Sequence, residues 1–348
     1  MSPFDLVSSG IQELGIYFIL VNLLPSIILV FFIYLAVTLG PFVIYDNNPS
    51  FENKLFVNDN SNNNLNFTYV NEKVTEFGQG ENIVSIIFGI IILSIIMIPL
   101  QLVIIRLFEG YWPKIFYPFT IIGQKVQKYK FANIQNEEDK EIEKIDKEDI
   151  EKINKVMSKY QLKRILYYPD YERILPTGLG NILRAAEDFV SAKYGLDAII
   201  TWTRLYILLP DNIKTLLNDQ RTKLDLSTRL SFIFLISTII SSIFFLKISL
   251  LSLIPIATFI LFIISYKGSK QVAFGYGQLI HTAFDLYRFD LLKQLKIPLP
   301  KNIEEEKKKG QEISSFLASG EGLPENFEYE HVSESALLEE ESKEDFKN

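Results

Sequence analysis

Two apolar runs separated by a single lysine constrain this chain more than any other feature. Residues 230–246 and 248–266 contain no charged side chain, and Lys247 stands between them. Each run approaches the roughly 20 residues that a helix needs to cross the hydrocarbon core of a bilayer. One helix through both runs would be about 55 Å long and would bury Lys247 near its middle. The sequence therefore predicts a transmembrane hairpin with Lys247 at the far interface, because a charge in the core is costly.

Two further apolar runs precede this hairpin. Residues 16–39, interrupted by Asn22 and Pro25, and residues 83–105 are each long enough for a transmembrane helix. A proline inside such a helix is tolerated where neighbouring helices satisfy the carbonyl that it frees. Asn22 is expected to bond across helices, with a pore-lining role as the alternative. A composition that is 48% hydrophobic agrees with a membrane protein.

The positions of the basic residues predict which parts of the chain face the cytoplasm. Lysine and arginine gather after the second span, before the third and after the fourth, and aromatic residues at 108–119 add an interfacial belt. By the positive-inside rule, both termini and the central region are cytoplasmic, and we expect a multi-pass protein of the cell (plasma) membrane. The basic residues counted are Arg106, Lys114, Lys125, Lys214, Arg221, Lys223, Arg229, Lys267 and Lys270.

The predicted fold is mainly α: a polytopic membrane protein with four transmembrane helices and a cytoplasmic helical domain continuous with spans three and four. Prolines and glycines delimit regular helices in the central region, with Thr177 and Asp197 as N-caps and Gly195 as a terminator. The expected segments are a first helix (1–45), an extracytoplasmic asparagine-rich loop with a β-hairpin around 58–64 (46–81), a second helix (82–106) and a cytoplasmic helical domain (107–228). They continue with the hairpin (229–267), a cytoplasmic helix extending span four (268–300) and an acidic, largely disordered tail (301–348). At the start of this tail, Asn302 is expected to cap a short helix that runs to Leu317.

Apolar residues at near-heptad spacing run through the charge-dense stretch 136–166. The spacing predicts an amphipathic helix with one apolar stripe. We expect this helix to pack on its own domain, with pairing to a partner helix as the alternative.

Three sequence blocks carry a resemblance to a known family. The blocks LPTGLGNILRAAED, YGLDAIITWTRL and TAFDLYRFDLLKQLKIPLP lie between residues 175 and 300. They resemble the recurring blocks of a bacterial multi-pass membrane protein family that has no assigned activity. That family carries an arginine where this chain has Gly178 and a proline where it has Thr203, so a role built on that arginine does not transfer. The resemblance implies a shared architecture and supplies no reaction.

Two charged clusters are the candidates for chemistry. Arg184 and Glu187 stand at i, i+3, the spacing of an ordinary helical ion pair. His281 and Asp285 at i, i+4 supply only two of the ligands that a metal site needs, and no nucleophile motif such as GxSxG accompanies them. We expect structural ion pairs, with acid–base or phosphate chemistry as the alternative. The full clusters are Arg184, Glu187, Asp188, Asp197 and Arg204, and His281, Asp285, Arg288 and Asp290.

Polar residues inside the predicted spans form a third group of candidates. They are expected to hydrogen-bond across helices, and lining a pore in an oligomer is the alternative. The string Ala-Phe-Gly-Tyr-Gly at 273–277 is similar to a potassium-channel filter, but it follows the last span, so close helix approach through small residues is the expected role. The intramembrane positions are Asn22, Pro25, Ser237, Thr238, Ser241 and Ser242.

Charge and composition argue against several classes of function. A net charge of −7 without a basic patch argues against nucleic-acid binding. The absence of cysteine excludes a disulfide framework and cysteine-ligated metal, and no cofactor is predicted. Ionisable residues are absent from the span interiors, which argues against proton-coupled transport.

We expect a non-enzymatic scaffold or membrane-anchored assembly protein that acts through its cytoplasmic helices. Its expected partners are the lipid bilayer, further copies of itself in a homo-oligomer and a cytoplasmic protein. The alternatives are an oligomeric ion channel or pore, and a membrane enzyme acting on a lipid or phosphate.

Overall fold

The computed structural model describes residues 18–39, 56–59, 62–65, 80–145, 149–245, 252–320 and 329–330 of the chain. Within these ranges the protein is mainly helical, as the sequence predicts. A π-helical turn (Phe18–Leu23) leads into α1 (Leu24–Leu39), and a short β-hairpin lies between α1 and α2. The remaining helices are α2 (Gly80–Glu109), α3 (Tyr117–Ile142), α4 (Ile150–Tyr167), α5 (Gly178–Tyr194), α6 (Ala198–Leu208), α7 (Asp211–Phe245), α8 (Leu253–Gln294) and α9 (Ile303–Ser319).

The chain divides into two compact units. Unit 1 comprises residues 1–117 and 220–272, and unit 2 comprises residues 118–219 and 273–348. Both boundaries on the C-terminal side fall inside the long helices α7 and α8, so each of these helices supplies residues to both units.

Unit 1 contains apolar helices that expose apolar side chains and bury polar ones, which is the reverse of the arrangement in a soluble protein. In the described residues, α2, α7 and α8 are long and apolar enough to cross a membrane, and residues 21–34 form a shorter apolar helix. On α2, Val84 and Leu102 are exposed, whereas Ser94 and Gln101 are buried. Apolar side chains outside and polar side chains inside suit a helix bundle in lipid, where backbone and side-chain polar groups must be satisfied internally. These features indicate a membrane protein. The predicted turn at Lys247 lies outside the described residues.

The loop between α1 and α2 contains an antiparallel hairpin. β1 (Phe56–Asp59) pairs with β2 (Asn62–Leu65), with Phe56 opposite Leu65 and Asp59 opposite Asn62. Most of the asparagine tract that was expected to form the turn therefore belongs to the strands. Two residues separate the strands along the chain, which is the commonest hairpin connection.

The charge-dense stretch 136–166 forms two helices rather than the single amphipathic helix that the sequence predicts. α3 ends at Ile142, and Asp149 caps the start of α4 by accepting from Lys152 N. The two helices run antiparallel, because Glu137 meets Lys163 and Glu141 meets Lys159. This fold buries part of the apolar stripe: Val156 and Tyr160 form a buried cluster with Ile134. Ile142, Ile145 and Tyr168 pack against this cluster.

The main core of unit 2 gathers around α5, α6 and the parts of α7 and α8 in this unit. Thr177 and Asp197 cap α5 and α6 as predicted, each accepting backbone N–H groups. Gly195 ends α5 at φ 74°, a conformation that favours glycine. The fully buried core residues are Val190, Leu205, Leu217, Ala283, Phe284 and Leu291.

The short helix expected at the start of the acidic tail is α9, and it packs on unit 2. Asn302 caps this helix, as expected for a short helix here, and Ser314 Oγ accepts from Asp197 N at 2.8 Å. A Cβ added at Gly310 would lie 2.3 Å from Tyr194 O, so glycine permits a direct approach of the two backbones. Ile313 is buried with Leu292 and Ile297. The apolar face of α9 thus explains why it folds against the unit despite its charge.

Candidate functional site

A buried arginine links three helical segments of unit 1. The side chain of Arg229, on α7, is 1% exposed. Its Nε donates to Gln101 Oε1 at 2.8 Å and its Nη2 donates to Met97 O at 3.0 Å, both on α2. Its Nη1 donates to Val21 O at 2.7 Å and also to Asn22 Oδ1, both on the π-helical turn before α1. The planar guanidinium group therefore connects α7 to α2 and to the π-helical turn through hydrogen bonds.

The acceptor at Val21 has a physical origin in the sequence. In a regular α-helix the amide of residue 25 would donate to the carbonyl of residue 21, but Pro25 has no amide N–H. Arg229 supplies the missing donor from another helix. Ser26 Oγ donates to the neighbouring Asn22 O at 2.7 Å. Arg229 thus gives Val21 O a hydrogen-bond donor, and Asn22, which also accepts from Arg229, is the next residue on the same π-helical turn.

The polar network continues from Arg229 along α7. Gln101 Nε2 donates to Asp225 Oδ1 at 3.1 Å, and Arg221 Nε lies 3.3 Å from the same carboxylate oxygen. Asp225 stands one helical turn before Arg229, so an amide on α2 joins an acid and a base on α7. Buried charges are costly unless they are paired and hydrogen-bonded. The network provides these contacts.

The burial of Arg229 corrects its interpretation as one more basic residue flanking a span. A repeat on the same helix predicts the burial of a different face. Leu217, Leu224 and Ser231 recur every seven residues along α7 and all are buried. Such a repeat marks a helix face that packs inward. At 100° per residue, Arg229 lies about 120–160° around the helix from these three residues, so the repeat does not predict its burial.

The hydroxyl-bearing residues of α7 were candidate intramembrane positions. Thr238 Oγ1 and Thr258 Oγ1 lie 3.1 Å apart, so this pair joins α7 to α8. Ser231 Oγ donates to Ser265 Oγ at 3.1 Å in the same way. Ser241 Oγ donates back to Ser237 O at 2.6 Å, while the buried Ser237 Oγ has no hydrogen-bond partner among the described residues. Ser242 is half-buried.

The second charged cluster connects α8 to α5 and α9 within unit 2. Asp285 Oδ1 accepts from Lys193 Nζ at 3.0 Å and from Tyr194 OH. Arg288 Nε donates to Glu306 Oε1 at 2.6 Å, and its guanidinium carbon lies 4.3 Å from the Tyr194 ring centre. Burial, followed by the hydrogen bond to Asp285, raises the pKa of Tyr194. Asp285 and Arg288 therefore form contacts between helices.

The other two members of this cluster have local roles. His281 stacks on Phe189 with ring centres 4.1 Å apart, and its Nε2 lies 3.2 Å from Ala186 O. Asp290 pairs with Lys293 one turn later at 3.4 Å. One turn before His281, a Cβ at Gly277 would lie 3.0 Å from Ala186 Cβ, so the glycine allows the close helix approach that was expected.

The first charged cluster does not come together as one site. Asp188 accepts from Arg173, and Arg184 Nη1 donates to Arg173 O at 2.9 Å. Asp197 caps α6, and Arg204 Nη1 donates to Ile200 O of its own helix at 2.7 Å. The predicted ion pair between Arg184 and Glu187 stays a prediction.

A cleft in unit 2 was not anticipated from the sequence. It has a volume of about 370 Å³ and lies among α3, α4, α5 and the segment after α4. Four of its lining residues are aromatic, and Lys128 Nζ lies 4.4 Å from the centre of the ring of one of them, Tyr171. Burial raises the pKa of the Asp188 carboxyl in its wall, although Arg173 acts in the opposite direction. The aromatic lining residues are Phe131, Tyr168, Tyr171 and Phe189.

No family model, curated protein or solved structure matches this chain. The resemblance carried by the three sequence blocks therefore gains no support from these comparisons. In the part of the chain that the structure describes, no group of three or more His, Asp or Glu side chains is placed to hold a metal ion.

Proposed function

We propose that this protein is a membrane-anchored assembly scaffold with four transmembrane helices, both termini in the cytoplasm and a cytoplasmic helical head. The head, unit 2, associates with a second copy through α6. The cell membrane is its proposed location, and the lipid bilayer and its own copies are its proposed partners. We also propose that a cytoplasmic protein binds the assembled heads.

The lengths of α7 and α8 support this arrangement. They contain 35 and 42 residues, or about 53 and 63 Å of helix, against a hydrocarbon core of about 30 Å. Each helix therefore has residues left over after crossing a bilayer. Those residues, including Leu217 and Phe284, belong to the core of unit 2.

In addition to α2, α7 and α8, the proposed set of four transmembrane helices includes the first span of the chain, which contains the π-helical turn and α1. Residues 18–39 are continuously helical and carry no charged side chain. The buried contacts of Asn22 with Arg229 hold this segment in the bundle with α2 and α7. A helix satisfied in this way can carry Pro25 within lipid.

The observation that favours self-assembly is the exposed face of α6. Ile199 and Ile207 are 64% and 72% exposed, and their spacing of eight residues places them on one face of the helix. The only charge on α6, Arg204, donates to its own helix. By contrast, the charged clusters are occupied by contacts inside unit 2. Exposed apolar faces outside a membrane mark protein interaction sites.

The test is the mass of the purified protein in detergent. We expect an oligomer, and we expect Ile199→Ser combined with Ile207→Ser to lower the oligomer mass to that of a monomer. Leu162→Ser on α4 is the control, because Leu162 is also apolar and 56% exposed. A wild-type monomer, or a double variant with unchanged mass, removes the proposal. Ion flux into liposomes from the same oligomer would favour the channel instead.

Sidedness has an equally direct test, because the chain has no native cysteine. Single cysteines at Asn60 and Asn136 are expected to react with an impermeant maleimide from opposite sides of the membrane. Reaction from the same side would contradict the proposed topology.

A further inference from the structure

The first half of α3 presents an apolar stripe whose side chains are largely exposed. Phe119, Ile122, Val126 and Tyr129 are 61%, 59%, 45% and 68% exposed. Their spacing of three and four residues confines them to about 80° of the helix circumference. Beside the stripe, about 40° beyond Phe119 around the helix, α3 packs inward, because a Cβ at Gly123 would lie 2.6 Å from the Pro176 side chain.

The charges around this stripe have one sign. At 100° per residue, Lys125 and Lys130 flank the stripe on its two sides. The sequence has no acidic residue from 110 to 136, although the whole chain has a net charge of −7. The acids of α3 begin at Glu137, and those that contact α4 pair with its basic residues. The helix therefore has a basic, apolar half and an acidic half committed to packing.

The position of α3 in the chain limits what the stripe can face. Seven residues, 110–116, separate α3 from α2, which is long and apolar enough to cross a membrane. An extended segment of this length spans at most about 25 Å. On the proposed membrane topology, the start of α3 therefore stays within reach of the cytoplasmic face of the bilayer.

We propose that residues 118–130 of α3 lie in the headgroup region of the cytoplasmic leaflet and bind anionic phospholipids. The apolar stripe enters the boundary between headgroups and acyl chains, and Lys125 and Lys130 contact lipid phosphate groups. An amphipathic helix with aromatic and aliphatic residues on one face and lysines beside it binds membrane interfaces in this way. Lysine stems extend along the apolar surface while the ammonium groups reach the phosphates. The net positive charge selects anionic over zwitterionic lipid.

The test uses the full-length protein with one cysteine at Ile122, labelled with the fluorophore NBD and reconstituted into vesicles. The vesicles contain either brominated phosphatidylglycerol or brominated phosphatidylcholine as the quencher. We expect both lipids to quench the label, with a preference for phosphatidylglycerol of about fivefold per flanking lysine. Lys125→Gln combined with Lys130→Gln should remove this preference and leave quenching by phosphatidylcholine. Lys128 is left intact because it contacts the Tyr171 ring.

A label at Glu137 is the matched control, because this exposed residue lies on the same helix in its acidic half. Strong quenching there, no quenching at Ile122, or equal quenching of the Ile122 label by both lipids would overturn the proposal. Disulfide-linked dimers through an unlabelled Ile122→Cys, without lipid quenching of the label, would assign the stripe to a second copy. Extraction of the protein by alkaline carbonate would instead show that the proposed membrane topology itself has failed.

Discussion

Replacing Arg229 with methionine is expected to destabilise unit 1 severely. Methionine fills a similar volume but donates no hydrogen bond, so Val21 O, Asn22 Oδ1, Met97 O and Gln101 Oε1 each lose a donor. Hydrogen bonds between helices in membrane proteins contribute about 0.6 kcal/mol on average and up to about 1.7 kcal/mol each. Four of them imply a loss of about 2–7 kcal/mol. Arg229→Lys should lose about half as much, because an ammonium group cannot reproduce the planar fork.

The assay is reversible unfolding in mixed detergent micelles, titrated with SDS and followed by circular dichroism. Lys223→Met is the control, since Lys223 is an exposed residue on the same helix. We expect this control to change the free energy of unfolding by less than about 0.5 kcal/mol.

A double-mutant cycle tests the specific role assigned to the arginine. If Arg229 satisfies the carbonyl that Pro25 frees, Pro25→Ala restores an amide donor for Val21 O. Arg229→Met should therefore cost less in the Pro25→Ala background than in the wild type, by about 0.5 kcal/mol or more. Equal costs in both backgrounds would refute the link to Pro25. An Arg229→Met protein as stable as the wild type would refute the whole account of the network.

Three further predictions concern other contacts and use the same unfolding measurement. Thr238→Val should lower the free energy of unfolding by about 0.6–1.7 kcal/mol, because it removes the hydrogen bond to Thr258. Ser237→Ala should be neutral or stabilising, because the Ser237 hydroxyl has no hydrogen-bond partner among the described residues. A larger loss from Ser237→Ala than from Thr238→Val would contradict both expectations. Gly310→Ala should weaken the packing of α9 and increase its proteolysis, because the added Cβ would lie 2.3 Å from Tyr194 O. Gly268→Ala is the control, because a Cβ at Gly268 would have no neighbouring atom within 4 Å. An α9 that resists proteolysis in the Gly310→Ala variant would disprove the close approach. Burial raises the pKa of Asp188 above its ordinary value of 3.8, so the wild type loses folding stability as this carboxyl ionises with rising pH. Asp188→Asn should therefore gain stability relative to the wild type between pH 3 and pH 6. A stability difference between the two proteins that does not change with pH would exclude this cause.

The sequence predicted the helices of unit 2 well where local signals were strong. Thr177, Gly195 and Asp197 each act through contacts within a few residues of themselves, so their roles follow from residue type and spacing. The break between α3 and α4 was missed because a near-heptad apolar pattern continues through the turn. Such a pattern fits either one long helix or two helices folded together, and only the tertiary packing decides between them.

The contacts of the candidate sites were less predictable, because they join residues far apart in the chain. A structural ion pair was expected for Asp285, but the sequence did not identify its partners, Lys193 and Tyr194 on α5. Gln101 and Arg229 are 128 positions apart. A single sequence gives no information on which distant polar residues face each other.

The burial of Arg229 changes the role of this residue but does not change the predicted topology. The other basic residues near the span ends, such as Arg106 and Lys223, still favour a cytoplasmic location for the central region. Along their helices, Gln101 precedes Arg106 by five residues and Arg229 follows Lys223 by six, or about 8–9 Å of rise in each case. In the proposed topology, the network therefore forms a polar layer deeper in the bundle than the flanking basic residues. At that depth the guanidinium group of Arg229 depends on acceptors from the π-helical turn and from α2, so the network forms only when these two segments and α7 are assembled together.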